Sequence, residues 1–302
     1  AITNPEALPV KYFPSANEFL ELNKFVTNLN KLPETNIRFK RGTICTDGRY
    51  DMCKQGIRNA FEESCKSLLN SNCIKHYLLG NNLVGEGEKF EERINILSEL
   101  ILKRSDMITW FLAGNNLNKE TIIPIANALE KSKSKYIWLK MNPIKTGAYY
   151  IGKLISKNKN IELIDLFNTG LCDDGLKEFL KGLKIGNQIK LKHLYLSINN
   201  LGLKSSDDMC KILKLLPDLE SLFIGSNNWG DDGIKIISNE LQNLKNLKRL
   251  TIGSSNLTDK SLIILKDVII NCKNLISLDL GSYKSTNYFS NKHNIFTNSE
   301  LL

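Results

Sequence analysis

Several chemistries are missing from this chain of 302 residues. Its seven cysteines, Cys45, Cys53, Cys65, Cys73, Cys172, Cys210 and Cys272, form no CxxC pair and no Cys/His cluster at zinc spacing. No metal and no other cofactor is therefore expected. Cys65, Cys210 and Cys272 fall on apolar faces of predicted helices, where a thiol behaves as a small hydrophobe. A reduced chain is the expectation, with a Cys45–Cys53 bridge across an irregular loop as the alternative. Histidine is scarce: of the three, His76, His193 and His293, only His193 is expected on an open strand face, and no Ser or Cys is clearly paired with it. P-loop, GxSxG and HExxH patterns are absent, so the chain reads as a non-enzyme. No uncharged apolar run reaches the roughly 18 residues of a membrane-spanning helix. The chain opens on Ala1 with no recognisable secretory signal. A cytoplasmic location is the default, and a removed leader or secretion into a host cell the alternatives.

A formal charge of +9 invites a nucleic-acid or membrane reading. Lysine is abundant together with Asn and Ile, however, and the lysines are scattered mostly over predicted helices. A solvated basic surface therefore ranks above a dedicated site for an acidic partner.

What the chain does have is self-similarity. Residues 191–201 read LKHLYLSINNL, residues 219–229 LESLFIGSNNW and residues 247–257 LKRLTIGSSNL. All follow LxxLxLxxNxL, the third with one substitution. The ninth position recurs at Asn81, Asn115, Asn142, Thr169, Asn199, Asn227 and Ser255, at spacings of 34, 27, 27, 30, 28 and 28. A degenerate copy precedes them (Ile37, Phe39, Ile44) and a truncated one follows (Leu275, Leu278, Leu280), about nine in all. The second half of each unit has helical periodicity: Leu176, Phe179, Leu180 and Leu183 share one face, as do Ile234, Ile237, Leu241 and Leu244. Asp173, Asp174, Asp231 and Asp232 sit where those helices begin, the end that acidic side chains favour.

These motifs resemble the ribonuclease-inhibitor-like class of leucine-rich repeats, whose units run to about 28 residues with helical second halves. The likeness covers residues 34–282 and is most specific at 191–202 and 219–234. It departs early, where His76 takes a leucine position. Residues 42–51 and 84–92 read as loop enlargements. The implied fold is an α/β solenoid, a horseshoe with a parallel sheet on the concave face and helices on the convex face. Strands stack about 4.8 Å apart whereas helices need about 10 Å, so such a stack must curve. Residues 1–33 read as an N-terminal helical cap, centred on an amphipathic stretch at 15–32. Residues 283–302 read as a C-terminal cap or the start of a continuation. Bacteria that live inside eukaryotic cells deploy such repeats as secreted effectors, which the Lys/Asn/Ile-rich composition permits.

Function in this fold rests on side chains rather than on the scaffold. Alternate strand residues should face the open side of the sheet. The column between the second and third leucines holds Arg38, Tyr77, Phe111, Trp138, Asp165, Tyr195, Phe223, Thr251 and Asp279, with Tyr136 and Phe167 expected beside it. The core has its own leucines, so these aromatics are available to anchor a partner protein, and Asp165 to pair a cation on it. Stacking along the ladder is the structural alternative. Arg38, Lys40, Arg41 and Lys75 could form a basic patch steering an acidic partner, or merely guard the first sheet edge. Two other functions stand behind the protein-scaffold reading. Ran GTPase-activating proteins share this repeat class, which implies a small-GTPase regulator. Nucleic-acid binding ranks lower, because the aromatic column offers mainly Lys140 between Tyr77 and Phe223.

Overall fold

The computed structural model of the chain describes residues 43–45, 47–282 and 293–297. It divides into two compact units, one ending at Asn142 and the other starting at Pro143. Each is a run of strand–turn–helix repeats, the α/β leucine-rich-repeat solenoid.

The first unit starts with an antiparallel pair, β1 (Thr43–Ile44) and β2 (Arg49–Asp51). Strands β3 (His76–Leu78), β4 (Thr109–Phe111) and β5 (Tyr136–Trp138) follow, each parallel to the strand before it. Helices α1 (Phe61–Leu69), α2 (Phe90–Lys103) and α3 (Lys119–Glu130) alternate with them. In the second unit α4 (Ala148–Lys157) precedes β6 (Leu163–Asp165). Strands β7 (His193–Tyr195), β8 (Ser221–Phe223), β9 (Arg249–Thr251) and β10 (Ser277–Asp279) add to β6 in parallel order. Helices α5 (Cys172–Leu183), α6 (Ser206–Lys214), α7 (Gly230–Leu241) and α8 (Asp259–Asn271) join them.

Strands β2 to β9 each bury their middle side chain and turn their outer two to the opposite face, as the two-residue period of a strand requires. Leu194 and Leu222 are thus 0% exposed, between half-buried His193 and Tyr195 and beside half-buried Phe223. After each of β3 to β9 the chain turns back through a left-handed residue just before the ladder position. Asn81, Met141, Asn168, Ile198, Ser226 and Ser254 all have φ between 50° and 59°, and Gly114 has φ 63°. Asn and Gly adopt this conformation cheaply, whereas the β-branched Ile198 is strained there.

The ninth-position asparagines hold the turns together. Asn142 Oδ1 accepts the N–H groups of Asn115 (2.9 Å) and Leu117 (3.0 Å), while its Nδ2 donates to the carbonyls of Leu112 (3.0 Å) and Leu139 (2.8 Å). Asn227 does the same for Asn199, Leu201, Leu196 and Ile224. All of these groups are buried and need partners, so each asparagine satisfies donors of the repeat before its own. Thr169 keeps only part of the pattern, its hydroxyl donating to Leu166 O at 2.8 Å. Helix starts are linked in the same sense along the chain. Asp231 accepts the N–H and the hydroxyl of Thr258, and Asp173 accepts the hydroxyl of Ser205. Two glycines on the helical side allow a close crossing: a Cβ on Gly152 would lie 2.2 Å from Phe179 O, and one on Gly182 2.1 Å from Tyr149 O, so α4 and α5 touch backbone to backbone.

Three expectations are corrected. In the repeat around β3 the register is displaced by one residue: Ile74, Tyr77 and Leu79 fill the leucine positions, and Asn82, not Asn81, is the ladder asparagine, buried at 0% exposure, accepting the N–H of Gly56 and donating to Met52 O and Leu79 O. A one-residue slip exchanges the two faces of a strand, so His76 looks outward and Tyr77 inward. Residues 42–51 are not a loop enlargement; most of them form the β1–β2 hairpin, turning at Gly48 with φ 77°, and Tyr50 is buried under β2 as a leucine substitute. Finally, the repeat pattern does not stop at Leu280. Asn294 Oδ1 accepts the N–H groups of Ser255 (2.8 Å) and Leu257 (3.1 Å), and Nδ2 donates to Leu280 O at 2.8 Å. It is a further ladder asparagine, hidden from the motif by the residues between it and β10. The expected N-terminal cap helix and the degenerate first copy at Ile37 and Phe39 lie outside the described residues, as do residues 283–292 and 298–302.

Candidate partner-binding face

On the first unit, the outward positions of β4 and β5 bring Phe111 and Trp138 side by side, ring centroids 6.0 Å apart and tilted by 41°. Both are half-buried. Lys140 follows on the same face two residues after Trp138, its Nζ 5.6 Å from the Phe111 centroid and 5.8 Å from that of Trp138. Such cation–π contacts pin a lysine stem across two rings. Phe111 lies flat because Gly80 leaves room: a Cβ there would be 2.7 Å from the phenyl ring. Tyr136 sits beside Thr109 one row along, also half-buried.

On the second unit the equivalent positions of β7 and β8 hold Tyr195 and Phe223, stacked with centroids 4.3 Å apart and planes within 9°. Burial raises the Tyr195 pKa above its ordinary value, with the Arg249 charge opposing. Asp165 occupies the same row on β6 but is 3% exposed, and its carboxylate accepts the Phe167 N–H at 2.9 Å. It is a buried, hydrogen-bonded group rather than a solvated concave charge. Phe167, just past the strand, is half-buried.

Not every expected residue reaches this face. Tyr77 is 0% exposed, stacked on Tyr50 at 5.9 Å and edge-on to Trp110 at 6.0 Å, with its hydroxyl 3.3 Å from Ser64 Oγ. Burial drives its pKa well up. It belongs to the core because it occupies a leucine position, so it is not a contact residue. Arg38, Lys40 and Arg41 lie outside the described residues. Lys75 pairs with Asp106 at 2.5 Å, and the same carboxylate takes Arg104 at 2.9 Å. The hydrogen bond from Arg104 is the chief cause that holds the Asp106 carboxyl well below the usual carboxylate range; burial opposes it, and the hydrogen bond from Lys75 adds to the lowering. Of the expected basic patch, then, the described member is already engaged by an acid.

One constellation escaped the sequence reading. His193, Ser221 and Arg249 stand opposite one another on β7, β8 and β9. His193 Nδ1 lies 3.0 Å from Ser221 Oγ, and Arg249 Nε donates to the same oxygen at 2.9 Å. His193 therefore does have a serine partner. The clue was available: all three residues precede the second leucine of their motif, 28 residues apart. The pair makes no convincing nucleophile, because Ser221 is 0% exposed. His76 and Thr109 form a similar outward pair on the first unit, at 2.8 Å. Desolvation lowers the pKa of His76 and His193 alike, so both are neutral at pH 7. No cluster of three or more potential metal ligands occurs among the described residues, and none of their helices is long and apolar enough to cross a membrane.

No family model matches the chain, and no curated protein does. Solved structures do. The leucine-rich-repeat protein LegL7 of Legionella pneumophila shares 14% identity over 94% of this chain and 95% of its own, with a TM-score of 0.47. The internalin InlF of Listeria monocytogenes shares 13% over 98% and 99%, at 0.38. A chain of the octameric complex of Latrophilin 3, Unc5D and the leucine-rich-repeat protein FLRT2 shares 18% over 74% of this chain, at 0.39. The present chain spans 59% of that one. The parallel strands, alternating helices and buried asparagine ladder of this chain make its fold a leucine-rich repeat.

Proposed function

We propose that this chain is a non-catalytic scaffold that holds a partner protein against the open face of its strands, anchored by Phe111, Tyr136 and Trp138 on the first unit and by Tyr195 and Phe223 on the second. The observation that carries this reading is the Phe111–Trp138–Lys140 cluster. Two large rings stay half-exposed although the leucine column under them already fills the core, and Gly80 gives Phe111 the room to lie open on the surface. Aromatic side chains each bring on the order of 150–250 Å² to a contact and act as interface anchors. A direct contribution of Phe167 and Asp165 is part of the proposal only at the edge of this surface, Asp165 being already buried.

The test uses the full chain as bait beside a Phe111→Ala, Trp138→Ala, Phe223→Ala variant of unchanged circular dichroism and melting. A partner retained by the parent and lost by the variant supports the aromatic face; equal recovery by both refutes it. The captured complex is then measured at low and high salt. Protein anchors of this kind tolerate salt, whereas affinity that falls steeply and linearly with the logarithm of salt concentration identifies a nucleic acid instead.

A further inference from the structure

The row His193–Ser221–Arg249 has a defined proton order. Ser221 Oγ accepts from Arg249 Nε, and its own proton must find an acceptor because the residue is buried. The one acceptor it has is His193 Nδ1, at 3.0 Å. The imidazole proton therefore resides on Nε2. Protonating Nδ1 would aim two donors at Oγ and strand the hydroxyl hydrogen. Desolvation and the Arg249 charge act in the same direction and pull the His193 pKa down; Glu220 and Glu162 oppose this, and Lys192 adds to it.

The result is two unused donors on the strands either side of Ser221. Nε2–H of His193 has no partner among the described residues, and the terminal nitrogens of Arg249 meet no carboxylate there. The neighbouring lysines differ, Lys192 being paired with Glu162 at 3.2 Å and Lys248 with Glu220 at 2.7 Å. Arg249 is exposed, and one row along the same strands lies the flat Tyr195–Phe223 stack.

We propose that Arg249 and His193 bind a carboxylate on the partner protein, carried two residues away from an apolar side chain that lies on the Tyr195–Phe223 pair. This deepens the partner-binding reading and rests on it. The chemistry follows from charge and spacing. The site holds one full positive charge, which matches a carboxylate and falls short of a phosphoryl group carrying about −1.5 to −2. Arg249 has its Nε engaged, leaving the two terminal nitrogens as an edge for the two oxygens of a carboxylate. The two rows are two residues apart along each strand, about 7 Å, the spacing of same-side residues in an extended segment.

The probe is the capped peptide acetyl-Ser-Leu-Ser-Glu-Ser-amide, titrated into the full chain while the His193 ring signal, assigned by its loss in His193→Gln, is followed by NMR. The expected result is a saturable shift of that signal and a rise in its titration midpoint, because an adjacent anion favours the charged imidazole. The Gln counterpart of the peptide gives no such rise, and Arg249→Gln weakens binding by roughly ten-fold or more. No response, or equal responses to the Glu and Gln peptides, overturns the proposal. Tighter binding of the phosphoserine counterpart overturns the carboxylate assignment in favour of a phosphorylated partner. Arg249→Gln is also run beside the aromatic triple variant on the captured partner. Loss with the triple variant alone removes the carboxylate site and leaves the aromatic face standing; retention by both removes the face itself.

Discussion

A single asparagine amide such as that of Asn227 serves four buried backbone groups in two successive repeats. Asn227→Ala strands two N–H donors and two carbonyls where water does not reach, at about 1–3 kcal/mol for each group left without a partner. Urea unfolding should show a loss of about 3 kcal/mol or more. Asn227→Thr should cost less, since Thr169 keeps its turn with a hydroxyl alone. The opposite sign is expected at Ile198, the β-branched residue held at φ 59° where other repeats place Asn, Ser, Gly or Met. Ile198→Asn removes that strain and should stabilise the chain by about 1 kcal/mol in the same assay. Tyr77→Phe gives up only a 3.3 Å contact to Ser64. It should leave partner capture unchanged, in contrast to Trp138→Ala, which should reduce it.

At the level of the element, the short segment between α2 and β4 is fastened by charge. Arg104 donates to the carbonyls of Leu68 (2.5 Å) and Ile74 (2.7 Å) and to Asp106, which also binds Lys75. The folded-state pKa of Asp106 is depressed, so its contribution to stability is complete above the unfolded carboxylate value of about 4 and disappears as pH falls through the folded value. Stability of the parent should therefore decline from about pH 4 downward, and Asp106→Asn should both lower the neutral-pH plateau and flatten that decline. The expected amplitude is small, because the carboxylate is 45% exposed. Element order and type were legible in the sequence wherever leucines filled the motif, as in β7, β8 and β9 with their helices. They became hard to read where aromatics replaced leucine. Tyr50 and Tyr77 fill buried positions that hydropathy alone assigns to either face, and a choice wrong by one residue moved Tyr77 outward and His76 inward. Asn294 was hidden for a different reason: the periodicity is interrupted after β10, and only its hydrogen bonds reveal the rung. The outward aromatics were legible from strand alternation, whereas the His193–Ser221–Arg249 row required comparing one motif position across three repeats.

For the molecule as a whole, a charge of +9 and the outward, half-buried rings on each unit are separate features. The lysines near the open face are largely occupied, Lys192 and Lys248 by glutamates and Lys140 by two rings. Binding to a protein partner should accordingly keep most of its affinity between 50 and 500 mM salt, a range chosen because several neutralised phosphates would cost orders of magnitude across it; isothermal titration with the captured partner checks this. The asparagine ladder has one more consequence, for how such a chain can change in length. Every asparagine rung meets donors of the rung before it, as Asn142 does for Asn115 and Asn227 for Asn199. Duplicating residues 200–227 in frame would place one asparagine above another with each backbone group still satisfied, adding a strand at about 4.8 Å. A gene of this kind can therefore grow from within by copying a single 28-residue segment, and each copy arrives with an outward-facing row of side chains on which selection can act independently of folding.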